Sequence, residues 1–542
     1  MACDLKLSGG GVIDGTGAPA FRADVAITRD RISAIGELSA LEARETIDCT
    51  GKTVTPGFID IHSHADWLVP WSNHRTVIEP FIRQGMTSVV AGNCGFSPAP
   101  VTNRNRQTIY ESGRLLSDEG VDIRWETMGE FLDHLEQNGL ALNLCELVGH
   151  GTVRAAIKGH LNPDAPTDDE LTEMERLTKQ ALDDGCIGVS TGLQYAPGIF
   201  ADESELETFA RWSTRDGKLL TSHVKAYSWV SPVYEIDPEV SPHNVEAIEE
   251  MIRIAKAGGA RLQLSHLIFV GRNTWRTHTT ALAAIESARE DGLDVAFDAF
   301  PYTAGNTTAS VLFPREMLPK LEEILQNPEQ LAGVRALAHA VFGQIGFNLD
   351  DIQIMNGNTP GLTEYNGLFV PEAAERAGMD VWEFYGRLVV ESKRNARVLI
   401  HTYSGEEKEE EALRAVLAHP LCTIETDTMI TKGGHQNPAS YGTFPRVLST
   451  YVREGLFGLE QAVHKMTGAS ASRLNWTDRG WVREGCAADL IVLDTATLQD
   501  TATFAKPART PVGIDHVFIN GRHVVDGEVY DPAAAAGRVL RA

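Results

Sequence analysis

The chain has 542 residues, too many for one hydrophobic core, so a large domain with a smaller one appended is the expected organisation. Hydrophobic residues at 43% and charged ones at 23% describe an ordinary globular composition, and a net charge of -26 spread along the chain makes nucleic acid and anionic membranes poor partners. Seven scattered cysteines, no apolar core of a signal peptide and no apolar run of about 18 residues argue against a disulfide framework and a membrane span, and a cytoplasmic location is expected.

Residues 1–56 read as short strands, Leu5 to Leu7, Val12-Ile13, Asp24 to Ile27, Ile32 to Ile35 and Glu45 to Asp48, parted by turns such as Gly9-Gly10-Gly11. Next comes Thr55-Pro-Gly-Phe-Ile-Asp-Ile-His-Ser-His-Ala-Asp66. Phe58, Ile59 and Ile61 predict a buried strand entered through the Pro56-Gly57 turn. His62 and His64 stand two apart at its end, and the period of two along a strand turns both imidazoles to one side. That is half of a transition-metal site. An isolated His-x-His is equally well two polar residues leaving a strand, so the rest of the chain decides.

Further strands are expected at Thr87 to Ala91, Asn143 to Val148, Gly188 to Thr191, Leu219 to Val224, Arg261 to Leu267, Val295 to Phe300 and Leu421 to Thr426. Amphipathic helical stretches such as Glu170 to Asp184 and Asn244 to Ala257 lie between several of them. With the His62 strand they make a strand–helix repeat that closes naturally as a parallel (β/α)8 TIM barrel, an α/β fold. Roughly 120 residues part the last two strands, a length that carries its own structure and often forms a lid. The last stretch returns to strands, at Ala488 to Leu493 and His516 to Ile519, with a hairpin signal at Asn520-Gly521. The expected domains are therefore a small sheet unit from 1–56 and 468–542, and a barrel over 57–467 carrying an insertion at about 303–395.

Cys94, His223, His266 and Asp427 each fall at a predicted strand end, as do His62 and His64. One barrel mouth would gather all six, and imidazole, thiolate and carboxylate together suit zinc. Singly each has a plainer reading: a lone cysteine is more often a small buried apolar residue. Six coincidences at one end of the strands are a poor explanation.

This order of motifs resembles the metal-dependent amidohydrolase superfamily and, within it, the N-acyl-D-amino-acid deacylase (D-aminoacylase) family. The resemblance spans nearly the whole chain and rests on Pro56-Gly-Phe-Ile-Asp-Ile-His-Ser-His64, Gly92-Asn-Cys-Gly95, Gly149-His-Gly-Thr-Val-Arg154, Gly192-Leu-Gln-Tyr-Ala-Pro-Gly198, Ser265-His-Leu267, Phe300-Pro-Tyr-Thr-Ala-Gly305 and Tyr441-Gly-Thr-Phe-Pro-Arg446. It implies a β-sandwich built from both termini and an inserted segment over the mouth. It also implies that Cys94 takes the bridging place filled by a carboxylated lysine in many relatives. Cys94, His223 and His266 would hold a tight zinc, and His62 and His64, with Cys94 and Asp427, a weaker second one. The implied reaction is hydrolysis of a linear amide, the N-acyl bond of an N-acyl-(D-)amino acid or a related amide, with Asp427 as general base and acid.

Tyr195 and Tyr302 match positions near the family's substrate; His150 matches without a derivable role. Two family cations are missing, because Ala439 stands where an arginine grips the substrate carboxylate and Ile268 where a lysine follows Ser-His-Leu. Lys225, two residues after His223 and so on the same strand face, is one remaining candidate, and Arg446 is another. An alternative in the same superfamily is a hydrolase of an uncharged amide, carbamate or cyclic amide; a non-catalytic metal-binding protein would need no Asp427. Chirality, the number of metals and assembly into a homo-oligomer stay open at this level.

Overall fold

Pro56 and Gly57 mark where one sheet gives way to another. The structure, a computed structural model, describes residues 2–117, 120–231, 233–234, 242–314, 316–431 and 433–542. Before the junction, Cys3–Val12 pairs antiparallel with Phe21–Thr28 and parallel with Ala43–Asp48 and Thr53–Pro56. Thr53–Pro56 in turn pairs with Leu490–Leu493, which continues to Ile514–Ile519 and Arg522–Asp526. Both chain ends thus share one nine-stranded sheet. Its core interleaves Leu5, Leu7, Val25 and Val54 with Leu490, Val492 and Phe518. The Asn520-Gly521 hairpin forms as expected: both residues have positive φ, 47° and 76°, and a Cβ on Gly521 would meet the Arg29 carbonyl at 2.0 Å.

After the junction the strands are parallel. Phe58–Asp60, Met86–Ala91 and Asn143–Glu146 pair in that order. Val148–Gly149, Gly188–Gly192, Leu219–His223, Arg261–Leu264, Val295–Ala299 and Cys422–Ile424 form a second parallel sheet, again in chain order. Gly57 is needed because its backbone runs against Thr87; a Cβ there would lie 2.2 Å from that side chain. Helices return the chain between strands. The Asp168–Asp183 helix starts with a capping box, Thr167 with Glu170, and buries Met174, Leu177, Ala181 and Leu182. These apolar residues face the strands across one contiguous core.

Several strands stop earlier than the sequence suggests. Phe58–Asp60 ends before His62, Arg261–Leu264 before His266 and Cys422–Ile424 before Asp427. These three therefore stand on the turns just beyond their strands, whereas His223 is the last residue of its own. The inserted segment holds a three-stranded antiparallel sheet in which Ala304–Thr308 and Ile352–Asn356 flank Arg397–His401. Its middle strand lies past residue 395, because Ala304–Thr308 finds its partners at 397–401. Among the described residues no helix is long and apolar enough to cross a membrane.

Candidate metal centre

Cys94 sits at the middle of the cluster. Its Sγ is 3.2 Å from His62 Nε2, 3.5 Å from His266 Nε2 and 3.7 Å from His223 Nδ1. His223 Nδ1 and His266 Nε2 are 3.0 Å apart. Asp427 Oδ1 lies 3.5 Å from both His62 Nε2 and His64 Nε2. Donor atoms of His62, Cys94, His266 and Asp427 all fall within 4.8 Å of one another. Tetrahedral bonds of about 2.0 Å to nitrogen and 2.3 Å to sulfur put ligand atoms roughly 3.3–3.6 Å apart, so the spacing fits zinc. The six residues expected to converge do so, with His223 against Cys94 and His266 and His64 against Asp427.

The backbone explains how six side chains reach one point. Cys94, His266 and Asp427 have φ of 56°, 32° and 42°, in the left-handed region that non-glycine residues seldom occupy. At these three positions a sharp turn follows the strand and redirects the polar side chain. His62 and His64 lie beyond the end of the Phe58–Asp60 strand, so they do not converge by strand alternation. Their rings meet edge to face with centroids 5.7 Å apart.

Charge follows from this packing. Burial opposes a thiolate at Cys94, yet His62, His223 and His266 hold its pKa well below the ordinary thiol range. Burial likewise disfavours charge on His64, but Asp427 and Cys94 push its pKa up to about 10. Partial burial of Asp427 raises its pKa, but the His266, His64 and His62 imidazoles outweigh this and lower it. These surroundings favour the anionic forms of Cys94 and Asp427, and a divalent cation bound here would take the place of the imidazole protons that balance them. Among the described residues Nδ1 of His64 and of His266 has no hydrogen-bond partner despite burial.

Two residues absent from the sequence reading complete the cluster. Asp298 accepts the His266 backbone N–H at 2.6 Å and stands 3.4 Å from His62 Nδ1, orienting both ligands. Its signal was an acid in the middle of an apolar strand, Val295-Ala-Phe-Asp-Ala299. Gln194 Oε1 lies 3.2 Å from His223 Nε2 and fixes that ring from behind. His150 gains a structural role: its Nε2 is 2.8 Å from Glu205, which also pairs with Arg154 in the core.

The expected substrate contacts fare differently. Tyr195 lines the cavity over the cluster, but its hydroxyl donates to the Cys94 carbonyl at 2.9 Å and so buttresses the strained turn. Tyr302 is buried and donates to Asp500 at 3.1 Å, away from the cavities. Arg446 donates to the Pro301 carbonyl at 2.7 Å and stacks on Tyr302, a structural role. Lys225 is paired with Glu250, because the Leu219–His223 strand ends before it and the chain turns it towards the His243–Gly258 helix. Ala439 is buried at the start of a helix, whereas Ile268 lines a cavity beside His266.

The family model for the amidohydrolase family matches residues 45–340 and 410–525. A D-aminoacylase of Alcaligenes xylosoxydans xylosoxydans is 33% identical over 99% of this chain and 97% of its own length. The solved N-acyl-D-glutamate deacylase of Bordetella bronchiseptica, complexed with zinc and a phosphonate mimic of the tetrahedral intermediate, superposes with a TM-score of 0.81 at 31% identity, covering 100% of both chains. A D-aminoacylase structure, described by a binuclear centre in which one metal activates and the second attenuates, reaches a TM-score of 0.81 at 32% identity, again over 100% of both chains. The chain thus belongs to the amidohydrolase family, in the group of the D-aminoacylases and N-acyl-D-amino-acid deacylases.

Proposed function

We propose that this protein is a zinc-dependent hydrolase of linear amides that cleaves the N-acyl bond of an N-acyl amino acid, with the D-configuration favoured by its relatives' substrates. The observation that carries the reading is the buried thiolate–imidazole–carboxylate cluster at the base of a cavity of about 220 Å³. Cys94, His223 and His266 would hold the tight zinc, and His62 and His64, with Cys94 and Asp427, a weaker one. Zinc held there supplies a lowered pKa for an attacking water and polarisation of the amide carbonyl. Asp427 receives the water's proton on its carboxylate and delivers it to the departing nitrogen, since an unprotonated amine leaves poorly. The neighbouring imidazoles keep that carboxylate ionised and so ready to act as base. Asp298 and Gln194 hold the ligand rings, and the Tyr195 hydroxyl holds the Cys94 turn.

The proposed architecture is a (β/α)8 barrel with a lid and a β-sandwich domain from residues 1–56 and 468–542. Closure of the barrel is supported at both seams between the two parallel sheets. The Ile187 N–H donates to the Glu146 carbonyl at 2.8 Å, and the Asp427 N–H to the His62 carbonyl at 3.1 Å. Seven unpaired cysteines support a reducing, cytoplasmic setting.

A second reading keeps the chemistry but removes the substrate carboxylate, giving an uncharged amide, carbamate or cyclic amide. It is favoured by Lys225 and Arg446 both being engaged elsewhere. Metal analysis with a screen of N-acyl-D-, N-acyl-L- and carboxylate-free amides tests both. The expected outcome is bound zinc with turnover of an N-acyl amino acid, and loss of tight zinc and nearly all turnover in Cys94→Ala. A zinc-loaded wild-type protein that hydrolyses none of the three classes would refute the hydrolase reading.

A further inference from the structure

A second cluster of metal-ligand type, His516, His523 and Asp526, lies on the terminal sheet and shares no residue with the metal centre or with the cavities over it. His516 belongs to the Ile514–Ile519 strand, and His523 and Asp526 to the Arg522–Asp526 strand that pairs antiparallel with it. Side chains alternate along a strand, so residues three apart ordinarily face opposite sides. Here the register shifts: His516 stands opposite Asp526 and Val517 opposite Val525, but Phe518 stands opposite His523. Val524 is thus the extra residue of a β-bulge, and with Val525 it joins the core shared with the barrel. The bulge brings His523 to the face that carries His516, Phe518 and Asp526.

Three donors converge as a result. His516 Nδ1 lies 3.1 Å from His523 Nε2 and 3.2 Å from Asp526 Oδ1, and one donor atom from each residue falls within 4.8 Å of the others. Tetrahedral zinc bonds of about 2.0 Å to nitrogen and oxygen set such atoms roughly 3.3 Å apart. His523 is held in place, stacked on the buried Phe518 with ring centroids 4.5 Å apart and hydrogen-bonded to the Val525 backbone. The His516 side chain is 14% exposed, whereas that of Asp526 is 70% exposed and can close onto an ion. Without a cation the contact is poorly satisfied, because one ring proton has to serve two imidazole nitrogens and a carboxylate oxygen. Glu45 adds negative potential at His523. Lys52, which acts on His516, is paired with Asp515 at 2.6 Å.

We infer that His516, His523 and Asp526 form a divalent transition-metal site, separate from the metal centre, that clasps the last long hairpin of the chain. Two imidazoles with one carboxylate suit Zn2+, and by the same chemistry Ni2+ or Cu2+, whereas Mg2+ and Ca2+ prefer a shell of oxygen atoms. Three protein ligands on an open face leave the fourth position to water. The clasp joins the two strands that meet in the Asn520-Gly521 turn. That turn is where the hairpin docks on the strand Asn143–Glu146: the Asn520 side chain donates to the Asn143 side chain at 2.7 Å and to the Ala536 carbonyl at 2.8 Å. An ion that binds only the folded hairpin stabilises it, and so stiffens the contact between the terminal sheet and the strands beneath it.

The test uses full-length protein with its metal centre loaded first, as wild type, as His523→Gln and as Asp526→His, which offers a third imidazole. Zinc content is measured after equilibrium dialysis at a series of free Zn2+ concentrations, and hydrogen exchange over 514–530 is read on the same samples. Wild type is expected to bind about one equivalent of zinc more than His523→Gln, and to gain protection over 514–530 with Zn2+ but not with Mg2+. Asp526→His is expected to bind that equivalent at least 10-fold tighter, a gain that a misfolded chain would not show. Equal zinc content in wild type and His523→Gln, or an extra equivalent seen only at millimolar Zn2+, overturns the site. So does zinc that leaves exchange over 514–530 unchanged, equal protection by Mg2+, or an unchanged affinity in Asp526→His. None of these readouts needs a substrate, so the outcome is independent of the hydrolase reading.

Discussion

Asp427 reaches two imidazoles and a strained turn at once, and its substitution separates chemistry from metal binding. In Asp427→Asn the amide no longer accepts a proton, while Cys94, His223 and His266 remain to hold a metal. The expected result is a drop in kcat of at least ~10²-fold, the usual cost of losing a general base, with tight zinc retained by elemental analysis. A near wild-type rate would remove Asp427 from the proton-transfer role. Lys225 makes the opposite case. Its ammonium is paired with Glu250, which also accepts from the Tyr234 hydroxyl at 2.5 Å, in a largely buried setting. Lys225→Met leaves a buried carboxylate without its cation and should cost about 3 kcal/mol of stability. KM for the free-acid substrate should not change. Denaturant unfolding and steady-state kinetics check both halves, and a selective rise in KM would return Lys225 to the substrate site.

At the scale of elements, the inserted segment is the part that most directly encloses the reaction. Asn306 and Thr307 line both cavities, Phe342, Ile345 and Phe347 wall the smaller, and Lys393 and Arg397 close the larger. The segment is tied together by its own three-stranded sheet and reaches the strand ends through Asn306, whose side chain donates to the Asp427 carbonyl at 3.2 Å. A ligand contacting it from below should slow its local opening. Hydrogen exchange with and without a slowly hydrolysed inhibitor should show added protection over 304–312 and 393–401, and little over the terminal sheet. Equal exchange in the two states would count against a lid.

At the scale of the whole molecule, buried acids make stability depend on pH. Burial pushes the carboxyl of Asp66 up to about 7, and that of its neighbour Glu146 is raised as well, by burial first and then by Asp66. Burial also pushes Asp60 up to about 7, although Thr426 and the His62 N–H stabilise its charge. An unfolded aspartate titrates near ~3.9, so these groups bind protons more tightly in the folded chain. Their contribution is fully present below the unfolded value and is lost as pH rises through about 7. Tm at fixed zinc should therefore fall between about pH 4 and pH 7, the unfolded and folded values of these carboxyls, and level off above. Asp66→Asn, which never ionises, should flatten that fall. An identical pH profile in the variant would show that Asp66 is not protonated in the folded protein.

Much of this was legible in the chain itself. The spacing of His62 and His64, and the placing of Cys94, His223, His266 and Asp427 after apolar runs, is a local pattern, because the end of a strand is written in its own residues. The strand–helix alternation and the Asn520-Gly521 turn are local in the same sense. Where a long polar side chain points is not. Lys225, Tyr302 and Arg446 lie close in sequence to site motifs, but each is captured by a group from a distant segment, Glu250, Asp500 and the Pro301 carbonyl. Asp298 and Gln194 act on ligands from other strands. Periodicity determines which face of an element a residue occupies. Only the packing of elements far apart in the chain decides which charge, carbonyl or cavity stands opposite that face.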